Sequence, residues 1–335
     1  MALDLETRIV TRTDRPGTGI GADIAVLGAG IAGVSAALEA ARLGRRVLLI
    51  DGAPSLGGQA VGAIIGTFCG FFSNGPRPYQ VTHGIADDIL RDLGAAGVLH
   101  YLRDRRNTVI VQYSETTLAR WIEEAVRKAG IQVLLGAMLL AVRRDGGRIA
   151  GLDLATRYGA VSVQATGFVD ASGDAALAYG AGFACREPAK PIFGTQMIVL
   201  EQIDEAALAA LDRRELQQRL AAKGAAYGLV RRDGFLFAPP GQGTALVNMT
   251  HIETPLDALA ASRQQLEARA QADRLLAFLR AEYPAALGRA RIRSYGLPGV
   301  RQTRWIVGRH HLAADEVRQG IRFADAVGRC SWPIE

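Results

Sequence analysis

Residues 26–33 read VLGAGIAG, a corner whose glycines have the spacing G-x-G-x-x-G. Apolar residues 24–27 precede the corner, small residues follow it to about Leu43, and a second apolar run covers residues 47–50. Continuous apolar runs on both sides of a helix are typical of strands in a buried parallel sheet. The stretch therefore predicts a β-α-β unit.

The glycines of this corner, and the acid that follows them, fit a dinucleotide. Gly28 permits a tight turn, Gly30 lets the backbone approach a diphosphate, and Gly33 lets helix and strand pack closely. The N-terminus of the helix adds free N–H groups and a positive dipole end. Asp51 ends the second strand, about 20 residues beyond the last glycine, where it would accept hydrogen bonds from a ribose. An acid at this position disfavours a 2′-phosphate and hence an NADP-type ligand.

Downstream, the pattern alternates between helices and strands. We expect a helix over residues 83–93 and another that begins at its N-cap Ser114 and stops at Gly130. Turn residues then separate short apolar runs, which is typical of an antiparallel meander. The predicted meander strands and the buried strand that follows them are 138–143, 148–155, 160–166 and 167–171.

From about residue 188 the sequence changes to a mixed α+β pattern. Strands are predicted near residues 195–200, 235–237 and 245–249, between charged helical stretches. A long helix is expected from Pro255 to about residue 282, and the cap expected for it is Thr254, Pro255 and Asp257. This part is interpreted as a second domain. The leader, residues 1–22, is expected to extend a strand.

Composition excludes several classes of protein. The chain has 335 residues, 49% of them hydrophobic, with a net charge of +6 spread over scattered arginines, so nucleic-acid binding is not indicated. The uncharged stretches 24–38 and 52–76 are too short or too broken to span a membrane, and acids in the leader argue against a signal peptide. Three isolated cysteines and five histidines without metal-ligand spacing predict a reducing, cytoplasmic setting and no metal site.

Two further motifs and a C-terminal stretch carry a resemblance to a known family. Residues 57–59 read GGQ, residues 171–174 read ASGD, and residues 296–308 read GLPGVRQTRWIVG. From about residue 8 to 335 the chain resembles the FAD-dependent oxidoreductase family (FAD_oxidored) of the glutathione-reductase-like superfamily. Fumarate-reductase flavoproteins and the flavin subunit of heterodisulfide reductases are more distant relatives of that family.

The resemblance implies a fold and a cofactor. The expected fold is α/β, a glutathione-reductase-like FAD-binding Rossmann domain with a three-stranded meander insert plus a second α+β substrate domain. Its implied parts are an FAD domain over 1–187, a substrate domain over 188–300, and a return to the FAD domain over 301–335. The residues expected to bind FAD are Gly28, Ala29, Gly30, Ala32, Gly33, Asp51, Gly57, Gly58, Gln59, Met138, Ala171, Ser172, Gly173 and Asp174.

One departure from the superfamily concerns the C-terminus. Its members are expected to return with a further strand and a glycine-rich segment that contacts the diphosphate, ribitol and flavin ring, whereas this sequence stops at Glu335. Either the sequence continues in a longer protein, or a partner subunit supplies that segment. The unpaired sheet edge left without it would invite pairing with another chain, so a homo-oligomer or a partner subunit stays open. A catalytically incomplete flavoprotein subunit is therefore the alternative to an active enzyme, and an NAD-dependent dehydrogenase is the least favoured reading.

The expected chemistry is oxidation of a small organic substrate. The sequence has no second G-x-G-x-x-G motif for NAD(P)H and no Cys-x-x-Cys pair, so hydride is expected to pass directly from substrate to flavin. Cys69 is a candidate to touch the flavin ring, and Arg301 and Arg304 are candidates to meet a substrate carboxylate or the reduced flavin. The alternatives are an inert buried cysteine and ordinary interface arginines. His83 and His251 are further candidates for a base.

Overall fold

The computed structural model describes residues 9, 17–103, 107–190, 192–301 and 303–333. In chain order its strands are β1 (Thr18–Leu27), β2 (Val47–Asp51), β3 (Thr67–Cys69), β4 (His100–Arg103), β5 (Val109–Gln112), β6 (Gln132–Leu135), β7 (Met138–Asp145), β8 (Arg148–Thr156), β9 (Gly159–Asp170), β10 (Cys185–Arg186), β11 (Ile198–Glu201), β12 (Phe235–Phe237), β13 (Thr244–Asn248), β14 (Arg291–Tyr295) and β15 (Trp305–Ile306). Its helices are α1 (Ile31–Arg42), α2 (Gly58–Gly62), α3 (Ile85–Ala95), α4 (Glu115–Lys128), α5 (Ala176–Gly180), α6 (Glu205–Ala209), α7 (Arg213–Lys223), α8 (Ala258–Glu282), α9 (Pro284–Leu287) and α10 (Ala314–Gln319), with a 3-10 turn at Gly224–Tyr227.

The largest sheet carries the predicted β-α-β unit. Its six strands have the order β6-β2-β1-β9-β8-β7, and β6, β2, β1 and β9 run parallel. Strand β1 lies in the middle of the parallel part, where Ala25 and Val26 are completely buried. Such burial on both faces is what the continuous apolar runs predicted. The α/β class with a parallel Rossmann-like core is thus confirmed.

Strands β1 and β9 are longer than the sequence patterns indicated. Strand β1 begins at Thr18, so the described end of the leader forms a strand, and residues 1–8 and 10–16 lie outside the described residues. The separate strands predicted over 160–166 and 167–171 are one strand, β9, which pairs with β1 along its length and with β8 at its start. Gly167 does not break it, because its backbone is extended there and opposes Ile24 of β1.

Helices and the meander cover the two faces of this sheet. Apolar side chains of α1, α3 and α4 pack on one face around Val26 and Leu49. On the other face, Ala25 and Leu48 pack with Leu152 and Val163 of the meander strands β8 and β9. Helix α4 begins as predicted, since the Ser114 hydroxyl accepts a hydrogen bond from the Thr117 N–H at 3.3 Å.

A second, antiparallel sheet has the strand order β12-β13-β11-β14 and packs against α7 and α8. The expected cap of α8 is wrong in detail: its N-cap is Asp257, whose carboxylate accepts from the Ala260 N–H at 2.8 Å. Thr254 instead donates its hydroxyl to the Ile192 carbonyl oxygen at 2.9 Å. Within the part of the chain that the structure describes, no helix is long and apolar enough to cross a membrane.

Short backbone pairings extend the second sheet beyond its strands. Gly194 pairs with Ile252, and Thr195 pairs with Gly299, in both cases through reciprocal N–H to carbonyl hydrogen bonds of 2.8–3.1 Å. The two-residue strands β10 and β15 form a further antiparallel pair. Through this pair, Trp305 and Ile306 lie beside the short segment that follows α5.

Candidate dinucleotide site

The glycine corner after β1 has a geometry that only glycine tolerates. Gly28 has φ +102°, and a Cβ on it would lie 2.1 Å from the Ala171 carbonyl oxygen. A Cβ on Gly33 would lie 1.8 Å from the Gly28 carbonyl oxygen, so helix α1 and the corner are in direct backbone contact. The corner therefore depends both on the left-handed conformation of Gly28 and on close packing against the 171–174 turn.

The second glycine faces open space. A Cβ on Gly30 would meet no atom nearer than the Gly58 Cα, 4.0 Å away. The Gly57 N–H donates to the Ala29 carbonyl oxygen at 2.8 Å, so the GGQ turn lies directly beside the corner. At the N-terminus of α1 the backbone of Gly30 is thus open on the side where a Cβ would project, which leaves room for a diphosphate to approach it.

Asp51 is already engaged by the backbone around it. Its two carboxylate oxygens accept hydrogen bonds from the Ala29 N–H at 2.5 Å and the Ala53 N–H at 2.7 Å. Because a carboxylate has about four acceptor positions, Asp51 can still accept from a ribose hydroxyl. Its orientation is fixed in advance by these two bonds.

The ASGD turn is organised by an acid that the sequence analysis did not single out. Asp170, the last residue of β9, accepts from the Ser172 N–H at 3.1 Å, the Ser172 hydroxyl at 2.6 Å and the Ala178 N–H at 2.9 Å. The Ser172 hydroxyl in turn accepts from the Ala176 N–H at 2.9 Å. The available signal was an acid that ends an otherwise apolar strand just before the turn.

A cavity of about 590 Å³ lies beside the corner. Six predicted site residues line it: Gly28, Asp51, Met138, Ser172, Asp174 and Arg304. Met138 and Leu140, which are 61% and 67% exposed, give it an apolar wall. The cavity thus combines an acid for a ribose, an apolar wall for a flat ring and Gly28, the first glycine of the corner, which fits the ADP half of FAD.

Other predicted site residues lie elsewhere. The Gln59 side chain donates to the Val300 carbonyl oxygen, and Arg301 follows in an exposed position. Cys69 is half-buried on β3, where it pairs with Ile110. Ala32 is exposed on α1. None of these four residues lines the 590 Å³ cavity. The structure therefore does not bring Cys69 and Arg301 together with Arg304.

His251 is the histidine whose surroundings fit a proton acceptor. It follows β13, and its ring stacks on the Phe193 ring with centroids 5.1 Å apart and planes 6° apart. Burial lowers the pKa of His251, the nearby cations Arg231 and Arg301 lower it further, and Asp233 partly offsets them. These effects together favour the neutral form of its imidazole. His83, by contrast, is an exposed residue that contacts Asp87 on the surface of α3.

Comparison with known proteins decides the family. The family described as FAD dependent oxidoreductase matches residues 23–335. This chain belongs to the FAD-dependent oxidoreductase family. FAD is accordingly its cofactor, and the expectation of an NAD-dependent dehydrogenase is not supported. A comparison with curated protein sequences gives no match.

Solved structures share the fold of this FAD-dependent oxidoreductase. A geranylgeranyl bacteriochlorophyll reductase-like protein from Thermoplasma acidophilum has a TM-score of 0.51 at 16% identity, over 87% of this chain and 67% of its own. The glycerol-3-phosphate dehydrogenase from Bacillus halodurans, solved with FAD, has a TM-score of 0.50 at 17% identity, over 85% of this chain and 57% of its own. The chain thus spans about half to two thirds of the length of such proteins.

Proposed function

We propose that this protein is an FAD-dependent dehydrogenase or oxidase that oxidises a small organic substrate. The observation that supports this most directly is the cavity in which the glycine corner, Asp51, Met138 and the ASGD turn meet. FAD, when bound, supplies a hydride acceptor at its N5 atom. The sequence has no second dinucleotide motif, which favours the organic substrate over a nicotinamide as the hydride donor.

The chain's own part in the reaction is to hold the cofactor and to accept a proton. Gly28 and Gly30 would receive the diphosphate, Gly33 would let α1 pack against the corner, and Asp51 would bind the ribose. In a dehydrogenation the substrate loses a hydride from carbon and a proton from its hydroxyl or amine group. An unprotonated base near the flavin end would accept that proton.

His251 is our candidate for that base. A series of contacts leads to it from the GGQ turn: Gln59 bonds to Val300, Gly299 pairs with Thr195, and Gly194 pairs with Ile252. The turn that carries Gln59 is the one implied to lie beside the flavin. Because burial and the nearby cations favour the neutral imidazole, His251 can accept a proton, and Arg301 in its vicinity would attract an anionic substrate group.

The protonation of His251 makes a prediction that needs no substrate. Since its pKa in the folded protein is below the ordinary 6.5, the unfolded chain binds more protons as the pH falls through 6.5. Stability is therefore expected to fall from pH 6.5 downward, and to fall less steeply in the His251→Gln variant. NMR titration of the His251 ring should give a midpoint below 6.5. A midpoint at or above 6.5 contradicts this assignment.

The test of the proposed function is cofactor uptake followed by reduction. We expect purified protein to be yellow, or to become yellow with added FAD, and to release flavin on denaturation. Anaerobic addition of small alcohols, hydroxy acids and amines should bleach the flavin with at least one of them. His251→Gln is expected to slow that bleaching by about 10²- to 10⁴-fold without changing FAD content.

A protein that takes up no FAD contradicts the proposal and favours the alternative of a subunit that depends on a partner. If His251→Gln bleaches as fast as the unmodified protein, His251 is not the base, although the flavoenzyme assignment stands. Phe193→Leu, which removes the ring stacked on His251 but no titratable group, serves as the matched control for local packing.

A further inference from the structure

We propose that Arg304 binds the diphosphate of the dinucleotide, and that it does so from a separate segment of the chain. This segment, residues 303–308, is called the return segment below. The proposal rests on the proposed function in one respect, namely that a dinucleotide occupies the 590 Å³ cavity. It moves Arg304 from a candidate role in substrate chemistry to a role in holding the cofactor.

The position and orientation of Arg304 are well defined. Its guanidinium carbon lies 3.8 Å from the centroid of the Tyr179 ring, and its Nε lies 3.3 Å from Glu187 Oε1. Only 14% of its side chain is exposed. A guanidinium held between an aromatic face and one carboxylate keeps its remaining N–H donors for another acceptor.

The acidic side chains that line the cavity favour a cation beside them. Among the described residues that line the cavity, Asp51 and Asp174 are acidic and Arg304 is the one basic residue. A dinucleotide would add two phosphate charges to those two carboxylates. The Ala29 N–H, just before helix α1, is already donated to Asp51, and the N-terminus of α1 contributes only about half an elementary charge. Arg304 is the group that can balance this negative charge.

The contacts of the return segment fix the position of Arg304. Strand β15 pairs with β10, the Val307 N–H donates to the Ala184 carbonyl oxygen at 2.9 Å, and Thr303 is buried. Residues 184–187 follow helix α5, which itself starts from the ASGD turn. The stretch from the ASGD turn to residue 187 therefore contains both that turn and β10, the strand that pairs with the return segment.

The test compares ligands with and without a diphosphate. Adenosine and ADP-ribose would be titrated calorimetrically into flavin-free protein, with FAD uptake measured alongside. For Arg304→Met we expect ADP-ribose to bind about 10- to 100-fold more weakly and adenosine to change by less than about threefold. Arg309→Met, which removes an equal charge from an exposed position nearby, should leave both affinities unchanged.

Two further measurements separate binding from folding. Raising the salt concentration should weaken ADP-ribose binding more in the unmodified protein than in Arg304→Met, because salt screens the ionic contact. Glu187→Gln removes the ion-pair partner of Arg304 but keeps the guanidinium, so ADP-ribose should bind as tightly as before or more tightly. If Glu187→Gln loses as much affinity as Arg304→Met, Arg304 serves only to fold the return segment.

The remaining outcomes are equally decisive. An equal loss of adenosine and ADP-ribose affinity in Arg304→Met means that the guanidinium contacts the adenosine part, and overturns the proposal. No loss of either affinity overturns it as well. If the unmodified protein takes up FAD in these cases, the proposed function survives. If the unmodified protein binds none of the three ligands FAD, adenosine and ADP-ribose, both proposals fail together.

Discussion

Gly28→Ala is expected to abolish FAD uptake and to lower the free energy of unfolding by roughly 3–5 kcal/mol. The left-handed backbone at Gly28 costs a residue with a Cβ about 1–2 kcal/mol. The rest of the loss arises because the new Cβ would lie 2.1 Å from the Ala171 carbonyl oxygen, so that the 171–174 turn must move. That movement opens the cavity where the turn and the corner meet.

The matched control is Gly44→Ala. Gly44 also has a positive φ, +73°, but no atom lies within 4 Å of the position of its Cβ. The free energy of unfolding of the Gly44→Ala protein should fall only by the cost of the left-handed backbone, about 1–2 kcal/mol, and the protein should keep its flavin. Urea unfolding and the flavin-to-protein absorbance ratio measure both effects. The prediction is contradicted if the Gly28→Ala protein retains FAD and its free energy of unfolding lies within about 1 kcal/mol of that of Gly44→Ala. The 171–174 turn would then move without a loss of stability.

Asp170→Ala is expected to have the second largest effect. It removes the acceptor for the Ser172 N–H, the Ser172 hydroxyl and the Ala178 N–H, and the loss is expected to cost roughly 2–4 kcal/mol of stability. Because Ser172 lines the cavity, a loosened turn should also weaken FAD binding at least about tenfold. Thermal unfolding and fluorescence titration with FAD would measure the two losses.

Asp174→Ala is the control for this prediction. Asp174 lines the same cavity, and no hydrogen bond joins its side chain to the described residues. Its removal should change stability by less than about 0.5 kcal/mol. Because Asp174 is itself expected to bind FAD, the two variants are compared by their stability and not by their FAD affinity. If Asp170→Ala behaves like Asp174→Ala, the hydrogen bonds of Asp170 do not hold the turn.

The parts of the fold that sequence predicted are those with a strong local pattern. The β-α-β unit followed from apolar runs and a glycine corner, and the start of α4 followed from Ser114. The errors occurred where a local signal was ambiguous. Gly167 resembled a break between two strands, yet it continues β9, and Thr254 resembled a cap, yet Asp257 three residues later caps α8. The division into domains at residues 187 and 300 stays a prediction.

The candidate site divides in the same way. By itself, the sequence determined the glycine corner, Asp51 and the ASGD turn, because the left-handed backbone, the strand end and the helix start there are properties of adjacent residues. Only the tertiary structure decided that His251 stacks on Phe193 and that Arg304 lines the 590 Å³ cavity. These placements depend on the pairing of Gly194 with Ile252 and of β10 with β15. Residues so far apart in the chain are joined by packing, which no local spacing encodes.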